Sequence, residues 1–404
     1  MPGGRRSSRR RAALAANVAL ALAGMLLIAL AGAMGQGWTD RHFLPAFAWP
    51  RGVQIGLVQA MRLLLALLGL FLLLFVRPRL ARAVKAGRGG RLLAAALSAA
   101  LAVTAALGVT EGVLRTQTWR ATQERWGKEP LRRRDDLIGW TFIPNHRGTA
   151  VGEGRAIDYA MDRFGYRSAG APLDLDRPTI VLAGESILLG YGLPSPDTIA
   201  ARLEAATGVQ VANLSVNAYA TDQIFMRLRR ELPRFRRPAA VVIPFVPMLF
   251  DRNLDQDRPH LDAELRWHAA RPPPLRLVEL ARRVLRYRSA ASIDEGVGTT
   301  RAVLRATTAL ARARGAALLI VVPQFQPEDP SERAIRRRVL DEARIPYLLI
   351  PLDPAWRLAA DRHPNARGAE AIAAAISRAL AERVVAVPSP EAPRFARSPR
   401  DDRL

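Results

Sequence analysis

The run Thr179-Ile-Val-Leu-Ala-Gly-Glu-Ser-Ile-Leu-Leu-Gly-Tyr-Gly192 decides how this chain is read. Its apolar, partly β-branched start, residues 179–183, predicts a buried strand, and Gly184 ends it. Ser186 follows just past the strand, where the chain turns toward a helix starting near Pro196. A serine at the carboxyl end of a parallel strand lies where open α/β sheets hold their chemistry. The plainer reading is that Ser186 caps a turn. A distant polar turn, Asp361-Arg-His-Pro-Asn365, bears on the choice. A serine nucleophile needs a base, and the base needs an orienting acid.

Outward from this run, strands and helices alternate. Strands are predicted at residues 209–213, 240–246, 316–322 and 346–350. Helices are predicted at 197–207, with Asp197 as N-cap, and at 221–232, 299–314, 331–344 and 366–384. Such alternation gives a parallel sheet covered by helices on both faces. Five strands in a flavodoxin-like order would put the end of the first strand at a topological switch point. Residues 247–298 lack clear periodicity and read as a partly helical insertion over the site. Residues 135–145 and 160–167 are short, turn-rich lead-in segments.

The first third of the chain has another character. Half of the 404 residues are apolar, and the mean hydropathy of +0.02 is high for a fully soluble protein. Residues 5–11 carry five arginines, and residues 12–34 carry no charge. That apolar length spans about 30 Å of hydrocarbon, whereas the core of a signal peptide is usually shorter. Further apolar segments occupy about 53–76, interrupted by Arg62, and about 92–110. Arg62 is placed near enough to one end to snorkel toward headgroups. The loop Arg77-Pro-Arg-Leu-Ala-Arg-Ala-Val-Lys-Ala-Gly-Arg-Gly-Gly-Arg91 is strongly basic, like the N-terminus, while residues 35–54 hold only Arg41 and Arg51 as arginines. The positive-inside rule puts both basic segments in the cytoplasm and everything after Thr110 outside. Trp38 and Trp49 fall in the outer loop, where interfacial aromatics are common.

The formal net charge of +24 does not point to nucleic acid. Lysine occurs only as Lys85 and Lys128, the arginines are spread along the chain, and no nucleic-acid motif accompanies them. The absence of cysteine excludes disulfides and thiolate chemistry. The five histidines are His42, His146, His260, His268 and His363. Only His363 lies in a tight polar turn beside an acid, Asp361. Alternatively, Asp361 and Asn365 cap the last helix and His363 is a surface residue.

Gly184-Glu-Ser186 resembles the first block of the SGNH, or GDSL-type, hydrolases. Asn213-Leu-Ser-Val-Asn-Ala-Tyr-Ala-Thr-Asp-Gln223 resembles their second block, and Asp361-Arg-His363 their last. Ile138-Gly-Trp140, Pro144-Asn145 and Phe164-Gly-Tyr-Arg167 look like the lead-in of membrane-linked bacterial members. The resemblance implies a three-layer α/β/α fold of flavodoxin-like type behind a bundle of three transmembrane helices. It implies Ser186 as nucleophile, His363 as base and Asp361 as acid. Backbone N–H groups of Ser186 and Ala218 would form the oxyanion hole, and Glu185, Asn217 and Asn253 would contact substrate. No metal or cofactor is implied. Glu185 stands for the usual aspartate, Ala218 for a glycine, and Met248 for the asparagine of the third block.

The organisation expected on that basis is a membrane region over 1–114, a lead-in over 115–170, an SGNH-like domain over 171–386 and a disordered tail over 387–404. Two functions remain open. One is an extracytoplasmic esterase or acyltransferase, anchored in the bacterial inner membrane bilayer. Its substrate would be an O-acyl, commonly acetyl, ester on envelope polysaccharide, with lysophospholipid the weaker alternative. The other is a non-catalytic module binding glycan or a partner in an envelope assembly, which the changes at Met248 and Ala218 favour.

Overall fold

A computed structural model describes residues 3–43, 51–86, 88–128, 131–152, 155–168, 170–271, 274–285, 287–359 and 362–385. Asp361, Trp49 and the tail over 387–404 lie outside the described residues.

Five parallel strands form one side of an eight-stranded sheet. In spatial order they are Leu348–Pro351, Ala317–Gln324, Pro238–Pro244, Thr179–Leu182 and Gln210–Asn213. In chain order this is the 2-1-3-4-5 arrangement of flavodoxin-like sheets, with its switch point beside the first strand. Alternate residues of each strand face opposite layers. Val181, Ala212, Val241, Ile243 and Ile320 join a core beneath the helices Thr221–Glu231 and Ala290–Ala313. Ile180, Leu182, Val242, Leu319 and Val321 join a second core beneath Ile199–Thr207 and Ala366–Val385. The three-layer α/β/α fold expected from the alternation is therefore the one observed.

Several boundaries differ from the pattern reading. The helix expected from Asp197 begins at Ile199, because the Thr198 side chain accepts from Ala201 N and caps it. Asp197 closes a 3-10 turn instead and pairs with Arg202 at 2.7 Å. The helix expected at 299 starts at Ala290, capped by the Ser289 side chain. The insertion holds the helices Pro247–Asn253 and Arg276–Leu285 and a short hairpin of His260–Leu261 with Trp267–His268.

The lead-in is more ordered than its turn-rich sequence suggests. Arg147–Gly152, Arg155–Met161 and Arg167–Ser168 extend the sheet in antiparallel fashion beyond Gln210–Asn213. A separate hairpin, Arg132–Asp135 with Gly139–Phe142, lies against the helix Thr221–Glu231. There Gln223 donates to the Ile138 carbonyl at 2.6 Å, and the buried Arg227 donates to Thr141 Oγ1 at 2.7 Å.

Three N-terminal helices are long and apolar enough to cross a membrane, with candidate spans at Leu14–Ala33, Arg51–Val84 and Ala96–Thr116. Leu101, Val103 and Leu107 of the third stand largely uncovered by protein. The first two pack backbone to backbone, since a Cβ on Gly69 would lie 2.7 Å from the Gly24 carbonyl oxygen. Close approach through small residues suits helix packing in lipid. Arg62 donates to the Ala31 carbonyl at 2.9 Å, and Arg77 to Asn17 Oδ1 at 2.6 Å. These polar ties bracket an apolar zone of about 22 Å, taking 1.5 Å per residue.

The segment between the first two spans docks on the α/β domain. Phe43 bridges Tyr287, the Arg288 N–H donates to the His42 carbonyl at 2.8 Å, and Trp38 stacks on His42 and Tyr287. Trp38, expected as an interfacial aromatic, thus has a protein partner. Arg51 lies 3.6 Å from Asp329. Glu111, at the far end of the third span, accepts from the Arg276 and Leu277 N–H groups at 2.9 Å each and so caps the insertion helix.

Candidate active site

Ser186 opens a one-turn helix, Ser186–Leu189, at the carboxyl end of the first core strand. Glu185 caps it, with Oε2 accepting from the Ile187 N–H at 2.9 Å. The helix ends at Gly190, which is left-handed at φ 76. A side chain there would be strained and would drive a Cβ to 2.7 Å from Thr198 Cγ2.

Its carboxyl-end carbonyls are held from two neighbouring strands. Asn213 Nδ2 donates to Leu188 O at 2.9 Å. Arg167, paired with Asn213 in the sheet, donates to Leu189 O at 2.8 Å and to Gly190 O and Leu193 O at 2.5 Å each. Its guanidinium lies over the Tyr159 ring, and Tyr159 Oη accepts from the Gly192 N–H at 2.9 Å. Burial lowers the Arg167 pKa to about 10, so the group stays charged at neutral pH. The Phe164-Gly-Tyr-Arg167 lead-in is therefore the brace of the serine loop.

His363 reaches Ser186 from the other end of the domain sequence, its Nε2 lying 2.7 Å from Ser186 Oγ. Both residues are 7 % exposed. The His363 loop is pinned by an Arg357–Pro364 bridge and by Leu358 N donating to the His363 carbonyl at 2.8 Å. Tyr191 packs against the imidazole with ring centroids 4.9 Å apart. Asn365 accepts from Gly368 N at 3.1 Å, so it does cap the last helix, alongside a buried His363.

Glu185 is placed otherwise than expected. It is fully buried, and its Oε2 accepts from Ser186 Oγ at 2.6 Å rather than facing substrate. One hydroxyl proton cannot serve both Glu185 and an accepting His363 Nε2. When it points at Glu185, Nε2 must carry a proton to complete the other bond. Attack by Ser186 requires the hydroxyl to turn to an unprotonated Nε2.

The second-block loop runs alongside the first, with Leu214 N donating to Leu182 O and Val216 N to Gly184 O, at 2.8 and 3.0 Å. Ala218 adopts φ 66, the conformation for which glycine is suited. Its flanking peptides are fixed, since Trp140 Nε1 donates to Asn217 O at 3.1 Å and Arg258 to Ala218 O at 2.9 Å. Ile138-Gly-Trp140 thus braces this loop as Arg167 braces the other. Asn217 Oδ1 is buried with no hydrogen-bond partner among the described residues. Ala218→Gly is expected to change stability by less than about 1 kcal/mol, because relief of the left-handed strain offsets the greater freedom of unfolded glycine. Ala218→Val should cost about 2 kcal/mol or more, since a β-branched side chain is worse still at positive φ. Thermal unfolding of the two variants measures the difference, and equal losses would show that φ is not the constraint.

Asn253 does not serve the site. Its Nδ2 donates to Thr300 Oγ1 at 2.8 Å and its Oδ1 accepts from Asp222 N at 3.3 Å, which ties three helices together in the interior. Asp222 is fully buried, and desolvation raises its pKa to about 6. Met248 lines the cleft beside the serine, and its sulfur accepts from Arg252 at 3.4 Å. The cleft has a volume of about 160 Å³. Ile187 and Arg362, chain neighbours of Ser186 and His363, line it together with Phe325, Arg357 and Arg51. No cluster of three or more metal-ligating side chains occurs among the described residues.

No protein-family model matches the chain, and no curated protein matches it either. Solved structures with similar folds include a GDSL-like lipase from Bacteroides thetaiotaomicron, at 15 % identity and TM-score 0.31, over 52 % of this chain and 91 % of that one. A member of the lipolytic G-D-S-L family from Veillonella parvula matches at 13 % identity and TM-score 0.30, over 50 % of this chain and 96 % of that one. A family two carbohydrate esterase from Clostridium thermocellum, solved with cellohexaose, matches at 12 % identity and TM-score 0.34, over 55 % of this chain and 68 % of that one.

Proposed function

We propose that this chain is an SGNH-type serine ester hydrolase, tethered to a membrane by its N-terminal helices. The observation that carries the reading is the 2.7 Å approach of His363 Nε2 to Ser186 Oγ at the switch point of a flavodoxin-like sheet. In this reading Ser186 attacks an acyl carbonyl while His363 takes its proton, then returns it to the departing alcohol. Water, or an acceptor hydroxyl in an acyl transfer, releases the acyl group by the same steps in reverse. Asp361, outside the described residues, has the chain position to orient the imidazole. Backbone N–H groups of Ser186 and Ala218 supply the oxyanion hole. The substrate class is an O-acyl ester, with acetylated envelope carbohydrate favoured by the tether.

The membrane reading adds a side. The segment between the first two spans and the end of the third both dock on the α/β domain, so they share one side of the bilayer. The basic N-terminus and the basic loop near Arg82 put the opposite side in the cytoplasm. Both support a reading in which the chain sits in a bacterial inner membrane with the domain outside. A reporter fused after Lys128 should be active only outside the cytoplasm, and cytoplasmic activity would reverse the orientation.

Hydrolysis of a generic acetyl ester by the purified full chain tests the activity. Saturable turnover is expected. Its absence for every O-acyl compound tried, from well-folded protein, would leave the second reading, a binding module. Met248 favours that alternative, because a thioether donates no hydrogen bond where an asparagine amide would support the oxyanion, and one lost donor costs about 10²–10³ in rate.

A further inference from the structure

The cleft beside Ser186 carries charge that the ester chemistry does not use. Its acidic members are already engaged. Glu328 makes a two-pronged pair with Arg336 at 2.6 and 2.9 Å. Asp329 caps the helix Pro330–Arg336 through the Ser331 and Glu332 N–H groups and faces Arg51. Glu332 closes the same cap by accepting from Asp329 N at 3.1 Å. Arg51 is itself held by Asp40 at 2.7 Å and by the Phe43 carbonyl.

Arg357 and Arg362 differ. Neither has a carboxylate within 4.0 Å among the described residues, although both line the cleft. Arg357 Nε is buried and has no hydrogen-bond partner, and its guanidinium lies flat over the Phe325 ring, 4.6 Å from the centroid. Burial and the neighbouring Arg362 charge lower the Arg357 pKa, against a smaller opposing pull from the Glu332 carboxylate. A buried, unpaired guanidinium donor beside a like charge is an arrangement that a bound oxyanion completes.

We propose that Arg357 and Arg362 form an anion subsite next to the serine, which takes a carboxylate or phosphate group carried by the ester substrate. This deepens the esterase reading by naming an anionic acyl ester as its preferred substrate, and it rests on that reading only for the word substrate. Phe325 supports the flat face of Arg357, leaving its edge donors for the two oxygens of a planar or tetrahedral anion. Arg362, adjacent to His363, ties the bound anion to the reacting end of the cleft. A uronate and a phosphorylated sugar or polyol share this chemistry, and the ligands below separate them.

The experiment is ligand-dependent unfolding of the full chain in detergent, with glucuronate and inorganic phosphate as probes and glucose and sodium chloride as controls. Wild type and Ser186→Ala should both gain thermal stability with at least one anion and not with the controls. Arg357→Gln/Arg362→Gln should lose that gain. A larger shift with phosphate assigns a phosphoryl group, and a larger shift with glucuronate a uronate. In turnover, the double variant should lose about tenfold or more in kcat/KM for a carboxylate-bearing acetyl ester relative to its neutral isostere. Should the double variant fail to fold, Arg357→Lys replaces it, keeping the charge but losing the planar edge, with the same loss expected. Absence of any anion shift in wild type, or an equal shift in the variants, overturns the subsite. An anion shift without turnover in wild type keeps the subsite and removes the esterase.

Discussion

Ser186→Ala is expected to lower ester turnover by about 10³-fold or more, with the unfolding transition of the protein little changed. The hydroxyl lost is the one 2.7 Å from His363 Nε2, and a methyl group cannot attack a carbonyl. His363→Ala should cost a similar factor, since the nucleophile then has no base. The double variant should be no slower than either single one, because nucleophile and base act as a unit and losses within such a unit do not add. Steady-state rates of the three variants on one acetyl ester measure this. A Ser186→Ala rate within tenfold of wild type would remove nucleophilic catalysis at this residue.

Arg167→Ala should be the most damaging change away from the reacting atoms. It removes donors to three carbonyls, those of Leu189, Gly190 and Leu193, which lie in the turn closing the serine helix. Each bond to a charged donor contributes about 1.5–3 kcal/mol, less the cost of burying the charge. A net loss of about 3–5 kcal/mol follows, or roughly 6–20 °C in Tm for a domain of this size. Turnover should fall with it, through a misplaced Ser186. Arg167→Lys should recover only part of the stability, because one ammonium does not span three carbonyls. Unfolding and rates measured together decide it. An Arg167→Ala protein that melts within a degree of wild type would show that the brace is dispensable.

The parallel core was legible because its strands are short apolar runs closed by turn residues and separated by helices of clear period. Val181, Leu182 and Val242, fully excluded from water, are what such runs predict. The three lead-in strands were not legible. Residues 147–168 alternate poorly, and what orders them is tertiary: Arg167 pairs with Asn213 and reaches the serine loop. The loop 44–50 and Asp361 fall outside the described residues. At the site, the serine and the histidine were readable from their turns, and the structure brings them together. Asn253 was not, because a polar residue at the end of the short helix that follows a core strand serves a substrate or an interior helix junction equally well in sequence. Glu185 was misplaced for a related reason, since nothing local shows that its carboxylate turns back onto the neighbouring serine. The arginine pair proposed to hold an anion was hidden altogether, as Arg357 and Arg362 are two arginines among many. Arg202, Arg227 and Arg258 also bury an unpartnered Nε, but each has a carboxylate within 4.0 Å, which Arg357 lacks among the described residues.

The most direct measurement is covalent capture of the nucleophile. The full chain in detergent is treated with a fluorophosphonate probe and digested, and the modified peptide is sequenced by mass spectrometry. The account predicts one stoichiometric adduct on Ser186, absent from Ser186→Ala and strongly slowed in His363→Ala. No adduct on folded wild type, or an adduct on another residue that persists in Ser186→Ala, would contradict it.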